Sequence, residues 1–338
     1  MTIVSSSYWE RASDGRVICT LCPHRCTMKE GQRGLCYIRG NQDGAVVLHS
    51  YGRSSGVAVD PIEKKPLFHF YPGSSVLSFG TVGCNLSCRF CQNWDISKAK
   101  IMERLGESLA PEELVALAKK SGAKSIAYTY NDPVIFWEYA RDVALLAKRE
   151  NIKSVAVTAG YISSSAHEDF FSVMDAANID LKSFDDNFYR RLTGGRLAPV
   201  LETLEYVAKQ SDTWLEVTTL LIPGENDSPG ELEALTSWVV EHLGPHVPLH
   251  FSAFHPDWKM EQHQATSLEI LLKARAIGLA AGLQHIYLGN VDHPKTAATF
   301  CHHCQEILIE RNWHQVTNYN LGTAGACPHC HHSVVGIF

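Results

Sequence analysis

The chain has 338 residues, a formal net charge of −6 at pH 7, 45% apolar and 20% charged residues, ordinary values for a soluble globular protein. The acidic balance and the lack of any Lys/Arg run leave nucleic acid unsupported as a partner. No stretch approaches the roughly 18 apolar residues of a membrane span, and residues 1–16 show neither basic leader nor apolar core, so the expected location is cytoplasmic, with no membrane partner.

The first 70 or so residues hold Cys19, Cys22, Cys26 and Cys36, then a Gly-containing stretch, Arg39–Ser50, that reads as a hairpin with Asp43-Gly44 at its turn. From Ser75 the pattern changes. Apolar, β-branched runs occur at Ser75–Phe79, Ser125–Thr129, Lys153–Thr158, Ala177–Leu181, Trp214–Leu221, Pro248–Ala253 and His285–Leu288. Helical periodicity falls between them at Pro111–Lys120, Pro133–Arg149, Pro229–His242 and Ser267–Ala281. That rhythm predicts parallel βαβ units, in a doubly wound sheet or a barrel; periodicity does not choose. Beyond about residue 294 two Cys-x2-Cys pairs flank Ile307–Asn320, a segment suited to short strands. Three units are expected: a Cys-rich module over 1–72, an α/β unit over 73–295 and a double-CxxC module over 296–338.

The eleven cysteines fall into three groups, four between Cys19 and Cys36, three between Cys84 and Cys91, four between Cys301 and Cys330. In a reducing compartment such groups point to metal rather than disulfides. Two sets of four suggest closed sites, and a set of three an open one.

The open set is Gly83-Cys84-Asn85-Leu86-Ser87-Cys88-Arg89-Phe90-Cys91, directly after the first apolar run. Three thiolates on a cubane iron–sulfur cluster leave one iron without a protein ligand, where a cofactor can bind; a structural zinc site closes at four. Cys-x3-Cys-x2-Cys with an aromatic before the last Cys resembles the radical S-adenosylmethionine (SAM) superfamily, and the continuation Cys91-Gln92-Asn93-Trp94-Asp95 resembles its glycyl-radical-activating branch, that of the pyruvate formate-lyase activating enzyme. The resemblance implies a partial (β/α)6 TIM-type barrel, a [4Fe–4S] cluster on Cys84, Cys88 and Cys91, and SAM as cofactor.

Further stretches match the same branch at successive strand ends, where ligand sites gather in parallel α/β folds. They are Tyr130-Asn131-Asp132, Thr158-Ala159-Gly160, Asp180-Leu181-Lys182, Pro223-Gly224-Glu225-Asn226-Asp227 and the segment ending in His255. By resemblance, Asp132 stands in the turn that meets the SAM amino group, although Glu is commoner there. Lys182 lies near the SAM carboxylate and His255 near the ribose or methionyl portion. Phe90, Gln92, Asn93, Tyr130, Asn131, Thr158 and Asp180 complete the expected cofactor-binding set.

Cys301-x2-Cys304-x22-Cys327-x2-Cys330 has the spacing of a zinc ribbon, with rubredoxin-type iron the competing occupant. Cys19-x2-Cys22-x3-Cys26-x9-Cys36 suits either a small zinc module or an auxiliary iron–sulfur cluster. The order of these groups, with Asp60-Pro61-Ile62-Glu63-Lys64-Lys65-Pro66-Leu67 between the first two, resembles the AmmeMemoRadiSam system radical SAM enzymes. That likeness implies Memo-like and AMMECR1-like proteins as partners, and an electron donor such as flavodoxin or ferredoxin. The implied chemistry is reductive cleavage of SAM to methionine and a 5′-deoxyadenosyl radical, which takes a hydrogen from a protein or peptide residue. A small metabolite is the alternative substrate. A non-catalytic partner-binding or electron-relay role is the remaining reading.

Overall fold

Alternation of buried strand and amphipathic helix builds one eight-stranded sheet. The computed structural model describes residues 3–98 and 108–338. The strands are β1 (Gly56–Pro61), β2 (Ser75–Gly80), β3 (Ser125–Tyr128), β4 (Lys153–Thr158), β5 (Ala176–Asp180), β6 (Trp214–Leu221), β7 (Leu249–Ala253) and β8 (Ile286–Gly289). Each lies within one residue of its sequence expectation, except β1, which has none. Pairing from β2 through β8 is parallel throughout, and β1 joins β2 antiparallel. β1, from within the first 72 residues, is therefore an edge strand of the main sheet.

The spatial order follows the sequence, with β8 and β1 as the two edges. A doubly wound sheet reverses its order at a switch point; this one does not. Right-handed crossovers in an unreversed order carry every helix to the same face. The long helices are α1 (Pro111–Ser121), α2 (Trp137–Arg149), α3 (Leu197–Gln210), α4 (Pro229–Trp238) and α5 (Leu268–Ala280). Their boundaries have local causes. Glu113 Oε2 accepts from the Ala110 N–H at 2.6 Å, and Ser228 and Ser267 cap α4 and α5 from their N-cap positions. Leu114, Ala118, Val143, Leu204, Leu235 and Leu271 pack against Leu77, Phe79, Ile126, Tyr128, Val217 and Phe251 of the sheet.

The other face of the sheet is filled by the chain itself. Val76, Ala127, Val155 and Ala176 pack on Ile62, Leu67 and Phe70, from the segment between β1 and β2. Its backbone is held by inward-pointing polar side chains. Asn178 donates to the Pro66 carbonyl at 2.8 Å, and Glu216 accepts from the N–H groups of Phe68 (2.9 Å) and His69 (2.8 Å). The C-terminal residues close the same end: the Ile337 N–H donates to the His69 carbonyl at 2.7 Å, and the Tyr71 N–H returns a bond to the Ile337 carbonyl.

Before β1 lie two small three-stranded antiparallel sheets, one carrying Cys19. The expected hairpin forms as Arg39–Gln42 and Ala45–Leu48; Asp43 and Gly44 both take positive φ (55° and 73°), as a two-residue type I′ turn requires. Arg39, buried, ties this region to α2 and the turn before it through a bidentate ion pair with Glu138 and a bond to the Ile135 carbonyl. At the C-terminus, Thr299–Phe300, Ile307–Asn312 and Gln315–Tyr319 form a third antiparallel sheet. No helix among the described residues is long and apolar enough to cross a membrane.

One titration prediction follows from this packing. Burial, then the nearby His302 and His246, push the His285 imidazole down to about 3 from its ordinary value near 6.5. The unfolded chain binds that proton first, so the stability contributed by neutral His285 is whole above about pH 6.5 and declines as pH falls toward 3. The thermal midpoint is expected to fall from pH 7.5 to 5.5 less steeply in His285→Gln than in the wild type. Parallel slopes would remove His285 as the cause.

Candidate active site

A cleft of about 1150 Å³, counting its opening to solvent, lies at the C-terminal ends of the parallel strands. Cys84, Cys88 and Cys91 line it together with Phe90, Gln92, Asn93, Tyr130, Asn131, Asp132, Thr158, Asp180 and Lys182. These residues come from the ends of β2 to β5 and the loops that follow.

The loop bearing the three thiols is fixed by its neighbours. Asn131 is committed to it: its Oδ1 accepts from the Thr81 N–H (3.1 Å), and its Nδ2 donates to Thr81 Oγ1 and the carbonyls of Val82 and Gly83. On the far side, the Ser87 and Arg89 N–H groups donate to the carbonyls of Thr193 (2.7 Å) and Leu192 (2.8 Å). A Cβ on Gly194 would stand 2.4 Å from Ser87 Oγ, so glycine there permits the close approach. The Leu86 N–H points at Cys84 Sγ (3.4 Å), and Ser97 Oγ lies 3.1 Å from Cys91 Sγ.

Asp132 caps the 3-10 turn Pro133–Phe136 and bridges two strand ends. Its carboxylate accepts from the N–H groups of Val134 (3.0 Å) and Ala159 (2.9 Å) and from Thr158 Oγ1. Burial raises its pKa above the usual carboxylate range, against the pull of those donors. Cys84 is pushed up to about 12 by burial and by the Asp132 charge, so its thiolate needs a metal or a cation to persist. Lys182 supplies positive charge on the opposite wall. Burial disfavours its charge, but Asp180, bonded to Nζ at 2.8 Å, and Cys88 outweigh that and raise its pKa. Tyr130 holds a left-handed backbone (φ 68°), unusual for a bulky residue, with its carbonyl bonded by Asn93 Nδ2 at 3.0 Å.

The donor set fits an iron–sulfur cluster. Three thiols line the cleft from a rigid loop, and they stand too far apart to share one ion. Among the described residues, only Cys301, Cys304, Cys327 and Cys330 have ligand atoms all within 4.8 Å of one another. That C-terminal set, with 3.6 Å between Cys301 and Cys330 and between Cys304 and Cys327, is compact enough for a single ion. The Cys19, Cys22, Cys26 and Cys36 side chains line a separate pocket of their own.

His255 is not brought to the cleft. It lies exposed, two residues past the end of β7. The loop it begins folds over the outside of the motif instead, where Trp258 stacks on Trp94 (4.7 Å) and the Lys259 N–H donates to the Arg89 carbonyl. In its place the cleft gains Thr218, Leu220, Ser252 and Asn290, from β6, β7 and the end of β8, with Pro66 from the interior segment. Thr218 and Ser252 interrupt apolar strand runs with a hydroxyl, the one sequence sign that could have marked them.

Comparison with known proteins gives the family. Residues 79–235 match the family model described as the radical SAM superfamily. Over 304 residues, 90% of each chain, the sequence is 40% identical to an uncharacterised protein of Methanocaldococcus jannaschii. It is 21% identical over 291 residues (80% of this chain, 83% of the other) to a probable GTP 3′,8-cyclase of Methanosarcina acetivorans. To the pyruvate formate-lyase 1-activating enzyme of Escherichia coli it is 26% identical over 164 residues (46% and 64%). With the three-thiol loop, the mostly parallel sheet and the family match together, the chain belongs to the radical SAM superfamily and is related to its pyruvate formate-lyase-activating enzymes.

Proposed function

We propose that this radical SAM enzyme acts on a residue of a protein or peptide, in the manner of its activating-enzyme relatives. The supporting observations are the likeness to the Escherichia coli pyruvate formate-lyase 1-activating enzyme and a cleft that opens to solvent beside the three-thiol loop. The sheet with free edges at β1 and β8 is read as the partial barrel expected for this superfamily. When bound, the [4Fe–4S] cluster supplies an electron to SAM and so generates a reactive adenosyl radical. The chain's own residues bind, orient and shield. Cys84, Cys88 and Cys91 would hold the cluster; Asp132, at the wall beside Cys84, would accept from the SAM amino group, and Lys182 would pair with its carboxylate. Phe90, Leu220 and Val157 exclude water from the reacting end.

Lys182→Met is expected to raise the Kd for SAM by about 10- to 100-fold, the loss of one charge-assisted hydrogen bond. Equilibrium dialysis on cluster-loaded protein measures it; an unchanged Kd would place the carboxylate elsewhere.

The substrate class is tested by adding fractions of a cell extract to the loaded, reduced enzyme with SAM and measuring 5′-deoxyadenosine. The high-molecular-weight fraction is expected to accelerate its formation, and protease treatment to abolish the effect. Acceleration by the small-molecule filtrate alone would favour a metabolite, the reading that likeness to a probable GTP 3′,8-cyclase supports. Memo-like and AMMECR1-like proteins, proposed partners, belong in the same assay, with flavodoxin or ferredoxin as proposed electron donor. For the C-terminal four cysteines we propose zinc: two of their sulfur separations, 3.6 Å, are near the edge, about 3.8 Å, of a tetrahedron with Zn–S bonds of about 2.3 Å, and all lie within 4.8 Å.

A further inference from the structure

The two sets of four cysteines differ in geometry, and the difference separates two kinds of metal centre. In the C-terminal set all four sulfurs lie within 4.8 Å of one another, as ligands of a single ion must. Among the described residues no such group, of four or of three, occurs among Cys19, Cys22, Cys26 and Cys36. These four instead line one small pocket of their own. Cys19 and Cys36 are buried and Cys22 and Cys26 half-buried, so the thiols converge from the walls of a pocket without meeting at its centre.

Cys84, Cys88 and Cys91 provide an internal standard. Among the described residues they too fall outside any group compact enough for one ion, and they are the cysteines proposed above to hold a cubane. A cubane carries its thiolates on separate corners, so its ligands must be spaced more widely than those around one ion. The N-terminal set shares with them the lack of single-ion compactness among the described residues, and it has four thiols rather than three. A second likeness is local: the Leu35 N–H points at Cys26 Sγ (3.5 Å), as the Leu86 N–H points at Cys84 Sγ (3.4 Å). Hydrogen bonds to sulfur are among the features by which a protein tunes such a cluster. The remaining walls include Leu21, His24, Met28, Val134 and Ile135, with the Arg39 guanidinium, ion-paired to Glu138, among them.

We propose that Cys19, Cys22, Cys26 and Cys36 hold a second [4Fe–4S] cluster, fully ligated by protein. With no open iron it cannot take SAM or substrate. Its position is against the first cluster's loop. Asn85, between Cys84 and the rest of that loop, lines the N-terminal pocket, and its carbonyl is bonded to His24 Nε2 at 2.7 Å. The Cys36 carbonyl lies so close to Gly83 that a Cβ there would be 2.0 Å from it. The two cysteine sets thus share one wall, a single loop thick.

The test is metal and sulfide content of the full chain, prepared anaerobically with iron, sulfide and zinc all supplied. The decisive variant is Cys84→Ala/Cys88→Ala/Cys91→Ala, which leaves the N-terminal pocket intact. It is expected to retain about four iron and four sulfide per chain, half the wild-type content, with the Mössbauer doublet of a [4Fe–4S] centre. Cys22→Ala/Cys26→Ala is expected to lose the same amount from wild type; should that variant not fold, the triple variant alone decides. A triple variant holding zinc at the N-terminal site, or iron without sulfide, would overturn the assignment. Because the readout is composition and not SAM turnover, it stands or falls separately from the reading of the active site.

Discussion

Glu216→Ala is expected to destabilise the fold by about 3–5 kcal/mol, the usual cost of breaking a buried, hydrogen-bonded charge network. Glu216 lies in β6, wholly inaccessible to solvent, on the face that carries the interior segment. Four donors converge on its carboxylate: the N–H groups of Phe68 and His69, Trp214 Nε1 at 3.0 Å and His250 Nε2 at 2.7 Å. Alanine leaves all four facing an apolar hole, and each buried unsatisfied donor costs roughly 1–3 kcal/mol. In a chain of this size the expected drop in Tm is roughly 10 °C. The site suffers as well, because Glu216 holds Phe68 and His69, close in sequence to Pro66, which lines the cleft. Glu233→Ala, on the exposed face of α4, is the control and should move Tm little. Equal shifts for the two variants would mean that the network contributes nothing.

Gly83→Ala is expected to cut iron loading and SAM cleavage together. Gly83 combines a left-handed backbone (φ 81°) with the near-contact to the Cys36 carbonyl. The backbone strain costs an alanine about 1–2 kcal/mol, and forcing a methyl against a fixed carbonyl adds about 1–3 kcal/mol. Neither neighbour can yield without moving a cysteine proposed to bind metal. Gly224 separates the two effects: it has φ 77°, but a methyl group there would meet nothing within 4 Å, so Gly224→Ala carries strain without collision. If Gly83→Ala behaves like Gly224→Ala in iron content and stability, the close approach of the two cysteine regions is unimportant.

Much of this arrangement was legible in the sequence because its signals are local. A continuous β-branched run declares a buried parallel strand, and β4 and β6 fall on their expected limits. The three-thiol loop is legible for the same reason: its ligands lie within eight residues of one another. What was hidden depends on distant partners. α3 has Arg196 at its N-cap and Pro199 inside its first turn, so no start signal precedes it. β1 exposes Gly56 to Val59 and is buried only at Asp60, an edge-strand pattern with no apolar alternation to read. Asn131 looks like a cofactor ligand by position, yet its amide is occupied by the cysteine loop, which only three-dimensional proximity reveals. His255 sits in a loop whose course is set by the Trp94–Trp258 stack, a contact between residues far apart in sequence.

All of the proposed chemistry requires that Cys84, Cys88 and Cys91 support reductive cleavage of SAM. The most direct measurement is chromatography for 5′-deoxyadenosine after incubating the anaerobically reconstituted full chain with dithionite and SAM, beside a Cys88→Ala variant. The wild type is expected to give 5′-deoxyadenosine and methionine in equal amounts, and the variant none above background. Equal product from both, or none from a wild type shown to carry its cluster and to bind SAM even with the proposed partner proteins added, would contradict that requirement.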